Sequence, residues 1–480
     1  MDHPADGACG SFLELQKHMD DLVAGLTAEF GKECVLSGAD LANRNSGYLD
    51  NSPLKAKALL LPSTTSEVAR MLRLCNAASQ PVVPHGGLTN LVYNTRTTQN
   101  EIAISLERMA AVEAVDATGG TMTVQAGVTL RQVQETASAA GLFFPLDLAA
   151  RDSATVGGLI ANNAGGTRVL RYGMMRDLVL GLEVVLADGT VLTALNQMFK
   201  NNAGYDLKHL FIGSEGTLGV ITRAVLRLWP RPGGAATALL GMERFDQVAE
   251  LLALAQSQLS GALSSFEVMW NDFYRLTTTP PALSKPPLRS DLALYVLLET
   301  LGPEHAAQQA RLADMLEKAH ARGLFSEAVV AASSSQRQAL WRIREDSEQI
   351  EAQFRPTFSF DVSLPISAME GYVTGIRLEL SRSFGQVKCW VFGHAADGNL
   401  HVGVWGSAIR QSDQAQVENI IYQPLLALRG SVSAEHGIGL EKKAYLSLSR
   451  SAEEIAVMRR LKAALDPQGI LNPGKIFDLS

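Results

Sequence analysis

Cysteine is scarce and scattered: Cys9, Cys34, Cys75 and Cys389 are the only four in 480 residues, and no two form a CxxC pair. That spacing gives no support to a zinc finger or an iron-sulfur relay and reads as reduced thiols. Long apolar runs are missing as well. Even LVLGLEVVLADG is broken by Glu183 and Asp188, and no stretch reaches the roughly 20 residues of a spanning helix. No long lysine or arginine run accompanies the formal charge of −7, which argues against a nucleic-acid surface. The first thirty residues carry Asp2, Asp6, Glu14, Asp20 and Asp21 without a leading basic segment. Neither a secretory signal nor a transit peptide is suggested, and a cytoplasmic location is the expectation. The phosphate-binding pattern GxxxxGK[ST], a GxGxxG after a strand and the zinc-protease pattern HExxH are all absent, so a P-loop, a Rossmann site and metal-assisted hydrolysis gain no support.

What is present is a globular composition, 46% hydrophobic, long enough for two or three domains. Residues 11–30 have helical periodicity. From Ala58 an apolar strand, a helix opened by Thr64 with Glu67 three residues on, and the strand VVP form a strand-helix-strand unit. The runs IAISL, AVEAVDA, TMTVQAG and FFP follow, with a helix near 129–140. The segments 179–192 and 218–230 read as strands, with Asp188-Gly189 as a hairpin turn. RPGGAA at 231–236 is the best boundary. It sets off a second domain (233–480), and ahead of it an N-terminal helical segment (1–49) and a first domain (50–232), the latter bounds being those that the family resemblance described below implies. In the second, two long helices alternate with strands at 292–300, 387–393 and 400–405, which describes an α+β unit with its sheet covered on one face.

Glycine, at 41 residues, concentrates in PHGGLTN (84–90), SATVGGLIANNAGGTRVLRYG (153–173), KNNAGYDLKHLFIGSEGTLGVIT (200–222) and LNPGK (471–475). Consecutive glycines let backbone N–H groups converge on phosphate oxygens, while a single such segment is equally well an ordinary tight turn. A second constellation is HAADGNLH, whose His394 and His401 flank an Asp-Gly-Asn turn, followed by Glu435 and His436 in SAEHGIGLEKK. Two imidazoles and a carboxylate suit a first-row metal with open positions for substrate oxygens; the competing reading is solvated loop histidines. In LWRIREDSE, Arg342 and Arg344 offer guanidinium forks for a carboxylate, or simply the solvated face of a helix. Lys442 is either a neighbouring cation or a surface residue.

PHGGLTN, the Gly157–Gly166 core and IGSEGTLGVIT resemble the FAD-binding domain of the vanillyl-alcohol oxidase flavoprotein superfamily. The chain after about residue 40 is similar to the branch containing D-lactate dehydrogenases, the glycolate oxidase FAD subunit and D-2-hydroxyglutarate dehydrogenases. The resemblance implies an α+β fold: a PCMH-type FAD-binding domain of two α/β subdomains, then an α+β substrate (cap) domain with an antiparallel sheet. It implies that Pro84, His85, Gly86, Gly87, Leu88, Thr89 and Asn90 wrap the pyrophosphate, and that Pro145, Ser153, Gly157, Gly158, Asn162 and Gly166 line the cofactor. Gly219 and Val220 would meet the adenine side and Asn472 the ring. Some relatives attach flavin through histidine; with His85 and His209 the candidates, noncovalent FAD is the expectation.

The same resemblance assigns His394, His401 and Glu435 to a divalent metal, zinc or alternatively manganese, His436 to the base and Arg344 to the substrate carboxylate. The implied reaction is oxidation of a D-2-hydroxy acid to the 2-oxo acid, with hydride passing from C2 to flavin N5. Electrons would leave to an electron-transfer flavoprotein, a quinone or a separate redox subunit, and a homodimer is compatible. Relatives specialised for 2-hydroxyglutarate commonly carry lysine where this chain has Ser359, and asparagine where it has Gly403. Losing both groups favours D-lactate or a larger neutral side chain. D-2-hydroxyglutarate, an oxygen-using oxidase and a noncatalytic FAD-binding subunit remain the alternatives.

Overall fold

The run Ala58–Leu60 is apolar at every position, and in the computed structural model, which describes residues 22–479, it is buried in a four-stranded sheet. The order in that sheet is Val35–Leu36, Ala58–Leu60, Ile102–Ser105, Val82–His85. The strand-helix-strand unit is present, but Ile102–Ser105 lies between its two strands, parallel to both. Its helix, Thr65–Ala77, is capped by Thr64 Oγ1, which accepts from Glu67 N at 3.1 Å, while the Glu67 carboxylate reaches back to Ser63 N. Val68, Met71, Leu72 and Cys75 pack from one face of that helix onto the sheet. A helix spans 22–30; the part of the opening helical pattern before residue 22 lies outside the described residues.

A five-stranded antiparallel sheet follows, in the order Val191–Ala194, Val179–Val185, Val220–Arg227, Thr121–Gln125, Val112–Asp116. Asp188-Gly189 does turn the first hairpin, with Gly189 at φ +81° and Asp188 Oδ1 accepting from Thr190 N. The third sheet has seven strands, all antiparallel: Glu327–Val330, Gly234–Met242, Leu294–Gly302, Leu263–Trp270, Lys388–Gly393, Asn399–Trp405 and Phe358–Ser363. It is covered on both faces rather than one. Helices Phe245–Leu259, His305–Ala321 and Met369–Phe384 pack on one side, with Leu240, Val268 and Val296 beneath them. On the other, Met269, Tyr295 and Phe392 pack against Phe273, Leu340 and Trp341. The reason is legible in Leu294–Gly302, whose nine residues are all buried: a strand with no polar face to offer water must be sandwiched.

The tail returns to the first sheet. Ile470 and Asn472 exchange backbone hydrogen bonds with Val82, extending the edge beside Val82–His85. Lys462 Nζ donates to the carbonyls of Thr217 and Leu471, and Asp466 accepts from the N–H groups of Ile470 and Leu471. These buried bonds seat Asn472 next to the segment containing Glu215.

Candidate functional site: a glycine cradle facing a charged sheet end

One continuous cavity of about 1350 Å³ runs from the glycine-rich segments to the end of the seven-stranded sheet. Pro84, His85, Gly86, Gly87, Leu88, Thr89 and Asn90 line it, with Ser153, Gly157, Gly158, Asn162, Gly166, Gly219, Val220 and Asn472. Pro145 does not: it is buried behind the wall, its carbonyl accepting from Arg168. The glycines mainly serve close approach of chain to chain. A Cβ on Gly87 would fall 1.8 Å from Ser153 O, and one on Gly166 2.1 Å from Asp147 O. Gly158 is different, since a Cβ there meets only Thr155 Oγ1 at 3.6 Å.

Asn94 Nδ2 donates to Asn162 Oδ1 and so ties the first two segments together. Asn94 Oδ1, Thr155 Oγ1 and Asn472 Oδ1 line the cavity region yet are buried without a hydrogen-bond partner. Unsatisfied buried oxygens around a glycine-walled cavity fit a polar cofactor that supplies the missing donors. His85 is itself part of the wall, with Nε2 bonded to Thr95 O at 2.9 Å, and burial lowers its pKa to about 4. His209 is exposed, away from the cavity, bonded to Arg176.

At the far end, the antiparallel pair Lys388–Gly393 and Asn399–Trp405 is closed by a tight turn with Gly398 at φ +88°. The turn brings the His394 and His401 rings to a centroid separation of 5.5 Å. Glu435 completes the group, Oε1 lying 3.8 Å from His394 Nε2 and Oε2 4.0 Å from His401 Nε2. The three ligand atoms lie within 4.8 Å of one another, a donor set of two nitrogens and one oxygen that fits a divalent ion.

A second trio, Asp361, His401 and His436, is equally close. Asp361, however, is already committed. Its Oδ2 accepts from three successive backbone N–H groups, Ala434 (3.1 Å), Glu435 (2.9 Å) and His436 (3.0 Å), and from Ser433 Oγ. The carboxylate therefore builds the loop that carries Glu435 and His436. Two residues on, Glu215 of the first domain accepts from the N–H groups of Ile438 (2.7 Å) and Gly439 (2.8 Å), so the loop is gripped from both domains.

Confinement penalises every charge here, and partners decide which survive. Burial opposes the His394 cation, yet Glu267, bonded to Nδ1 at 2.7 Å, raises its pKa to about 9. Burial holds His401 well below the usual imidazole range and lowers His436 too, against the pull of Asp361. Glu435 is raised to about 7 by burial. Burial also opposes the Asp361 charge, but His436, Lys442 and His401 hold its carboxyl well below the ordinary value.

Arg344 is buried at the same end, donating through Nε to Glu267 Oε2 at 2.7 Å, with its guanidinium carbon 4.5 Å from the Phe392 ring centroid. Arg342 is exposed on the opposite side of the helix. Lys442 is buried rather than on the surface, its Nζ donating to Asp361 O. Ser359 and Gly403 are cross-strand neighbours in the wall, and the Trp390 indole lies where a Cβ on Gly403 would go. Asn94, Glu215, Glu267, Asp361 and Trp390 escaped the motif reading. The usable signal was a lone charge inside an apolar strand, as in LSSFEVMW and FSFDVS.

Residues 231–476 match the family described as FAD linked oxidases, C-terminal domain, and residues 56–195 match the FAD binding domain family. D-2-hydroxyglutarate dehydrogenase from mitochondria of Bos taurus is 38% identical over 95% of this chain and 84% of its own length. The D-2-hydroxyglutarate dehydrogenase of Xanthomonas citri pv. viticola is 39% identical over 88% of this chain and 89% of its own. Among solved structures, p-cresol methylhydroxylase with substrate bound superposes with a TM-score of 0.76 at 16% identity, covering 97% of this chain and 98% of that one, a likeness of fold. The cradle, the capping sheet and these relationships agree: the chain belongs to the FAD-linked oxidases of the vanillyl-alcohol oxidase type, as an FAD-dependent oxidoreductase related to the D-2-hydroxyglutarate and D-lactate dehydrogenases.

Proposed function

We propose that this chain oxidises D-2-hydroxyglutarate to 2-oxoglutarate with the help of a divalent metal, zinc or manganese, held by His394, His401 and Glu435. The observation that carries the chemistry is the convergence of that triad, His436 and Arg344 on the cavity that the glycine cradle opens into. The relatives' names carry the choice of acid. When bound, flavin supplies a hydride acceptor and the metal a positive charge for the substrate's carboxylate and hydroxyl oxygens.

The protein's own groups do the rest. His436 is kept neutral at pH 7 by confinement and takes the hydroxyl proton, with Asp361 Oδ2 3.8 Å from Nδ1 to stabilise the imidazolium that forms. Arg344 uses Nε for Glu267 and presents its two Nη groups, one of them 3.5 Å from His394 Nε2, to the substrate's C1 carboxylate beside the metal triad. Phe392, Trp390 and Tyr422 line the same cavity and give it aromatic surface that disfavours water. Electrons then pass to an electron-transfer flavoprotein, a quinone or a separate redox subunit.

A second reading, a neutral side chain such as that of D-lactate or a longer acid, is favoured by one feature. Ser359 brings no charge, and Trp390 over Gly403, with Phe354 and Trp405 behind it, makes that wall aromatic. Anaerobic flavin absorbance decides between them. Bleaching by D-2-hydroxyglutarate at the lowest concentration supports the first reading; preferential bleaching by D-lactate or a longer D-acid supports the second. Bleaching by neither, or equally by L-acids, overturns both.

A further inference from the structure

Glu267 lies in strand Leu263–Trp270, all eight of whose residues are buried, and is itself 1% exposed. A buried carboxylate is costly unless both oxygens are partnered. Its two oxygens serve different partners: Oε1 meets His394 Nδ1 at 2.7 Å, and Oε2 accepts from Arg344 Nε at 2.7 Å. One partner belongs to the metal triad, and the other is the Arg344 guanidinium assigned to the substrate carboxylate.

We infer that Glu267 is a positioning residue that joins the metal centre to the carboxylate grip, fixing the His394 tautomer and holding Arg344 against it. The inference rests on the metal-assisted reading above. A carboxylate only accepts, so Nδ1 keeps its proton, and Nε2 is the nitrogen that can give up its proton and offer a lone pair to the metal. Nε2 is the nitrogen that faces Glu435. Arg344 Nη2 lies 3.5 Å from that same Nε2. A guanidinium so close to a cation site repels the ion, and the Glu267 carboxylate, bonded to Arg344 Nε and to His394 Nδ1, sets a negative charge beside both that offsets this repulsion. The same carboxylate thereby permits metal and guanidinium to meet one substrate carboxylate side by side.

Glu267→Gln breaks this arrangement in either amide orientation: an NH2 group faces Arg344 Nε–H, or it faces His394 Nδ1 and imposes the wrong tautomer. Holoenzyme is dialysed to equilibrium against buffered free zinc, comparing wild type, E267Q and H394A, with bound FAD as the check on folding. The expected result is zinc binding weakened by about 10- to 100-fold in E267Q, more in H394A, with FAD content unchanged and a raised KM for the D-2-hydroxy acid. Wild-type zinc affinity in E267Q overturns the inference and leaves the metal reading standing. No zinc uptake by wild type overturns both. If E267Q fails to retain FAD, E267Q/R344Q, in which two amides replace the ion pair, carries the same zinc measurement.

Discussion

The two ends of the cavity solve recognition by opposite means. The cradle end is built from backbone, glycine contacts and neutral side chains such as Asn94, Asn162 and Asn472. The sheet end packs Asp361, Glu267, Glu435, Arg344, Lys442 and three histidines into one cluster. A cofactor held by shape and dipoles can stay through the whole cycle. A group that must accept a proton and release it has to change charge, and the sheet end gathers the histidines and carboxylates suited to that.

The comparison breaks most visibly at His436. Replacing it with asparagine should slow anaerobic flavin reduction by about 10²- to 10⁴-fold, the usual worth of a positioned general base. Bound FAD, measured as the ratio of flavin to protein absorbance, should be unchanged. Coupled loss of FAD would show that the two ends are not independent.

His85 tests the cradle's neutrality. Its folded pKa of about 4 lies below the ordinary imidazole value of 6.5, so between those values the unfolded chain binds the proton that the folded chain refuses. Stability from this site is complete above pH 6.5 and falls as pH drops toward 4. The loss is at most about 3 kcal/mol. H85Q, whose amide can still donate to Thr95 O, should flatten that part of the pH dependence of the urea midpoint, measured with excess FAD.

The glycines divide further. G87A forces a methyl group into Ser153 O and should cost about 1–3 kcal/mol of stability in addition to FAD affinity. G158A has space and should weaken FAD binding alone. Thermal melts with and without added FAD separate the two; equal melting points for both variants without added FAD would contradict the packing account.

The same contrast explains what the sequence disclosed. The glycine segments and HAADGNLH are contiguous, so their chemistry could be read within a few residues, and the antiparallel cap followed from its strands and the family resemblance. Nothing local encodes that Ile102–Ser105 inserts between Ala58–Leu60 and Val82–His85. Nor is it local that Glu267 meets His394 across 127 positions, or Glu215 meets Ile438 across 223. The two-sided cover of the large sheet was visible in the apolar run Leu294–Leu298, which is apolar on both faces and outweighs a count of helices. Ser359 and Gly403 pointed to a neutral substrate, whereas relatives spanning nearly the whole chain are D-2-hydroxyglutarate dehydrogenases.

Glu215 is where the two ends are joined, and it gives the smallest expected effect. Its backbone belongs to the cradle, with φ +52° and its N–H donating to Ala161 O, while its carboxylate holds the loop bearing His436. E215Q keeps the shape but turns one acceptor into a donor, so one of the two N–H groups loses its partner. The cost should be about 1–3 kcal/mol, the penalty for a buried unsatisfied donor. Because the defect lies in the loop and not in the glycine wall, FAD content should hold while the flavin reduction rate falls several-fold. A rate unchanged within error, alongside a lowered melting temperature, would mean that Glu215 stabilises the interface without setting the position of His436.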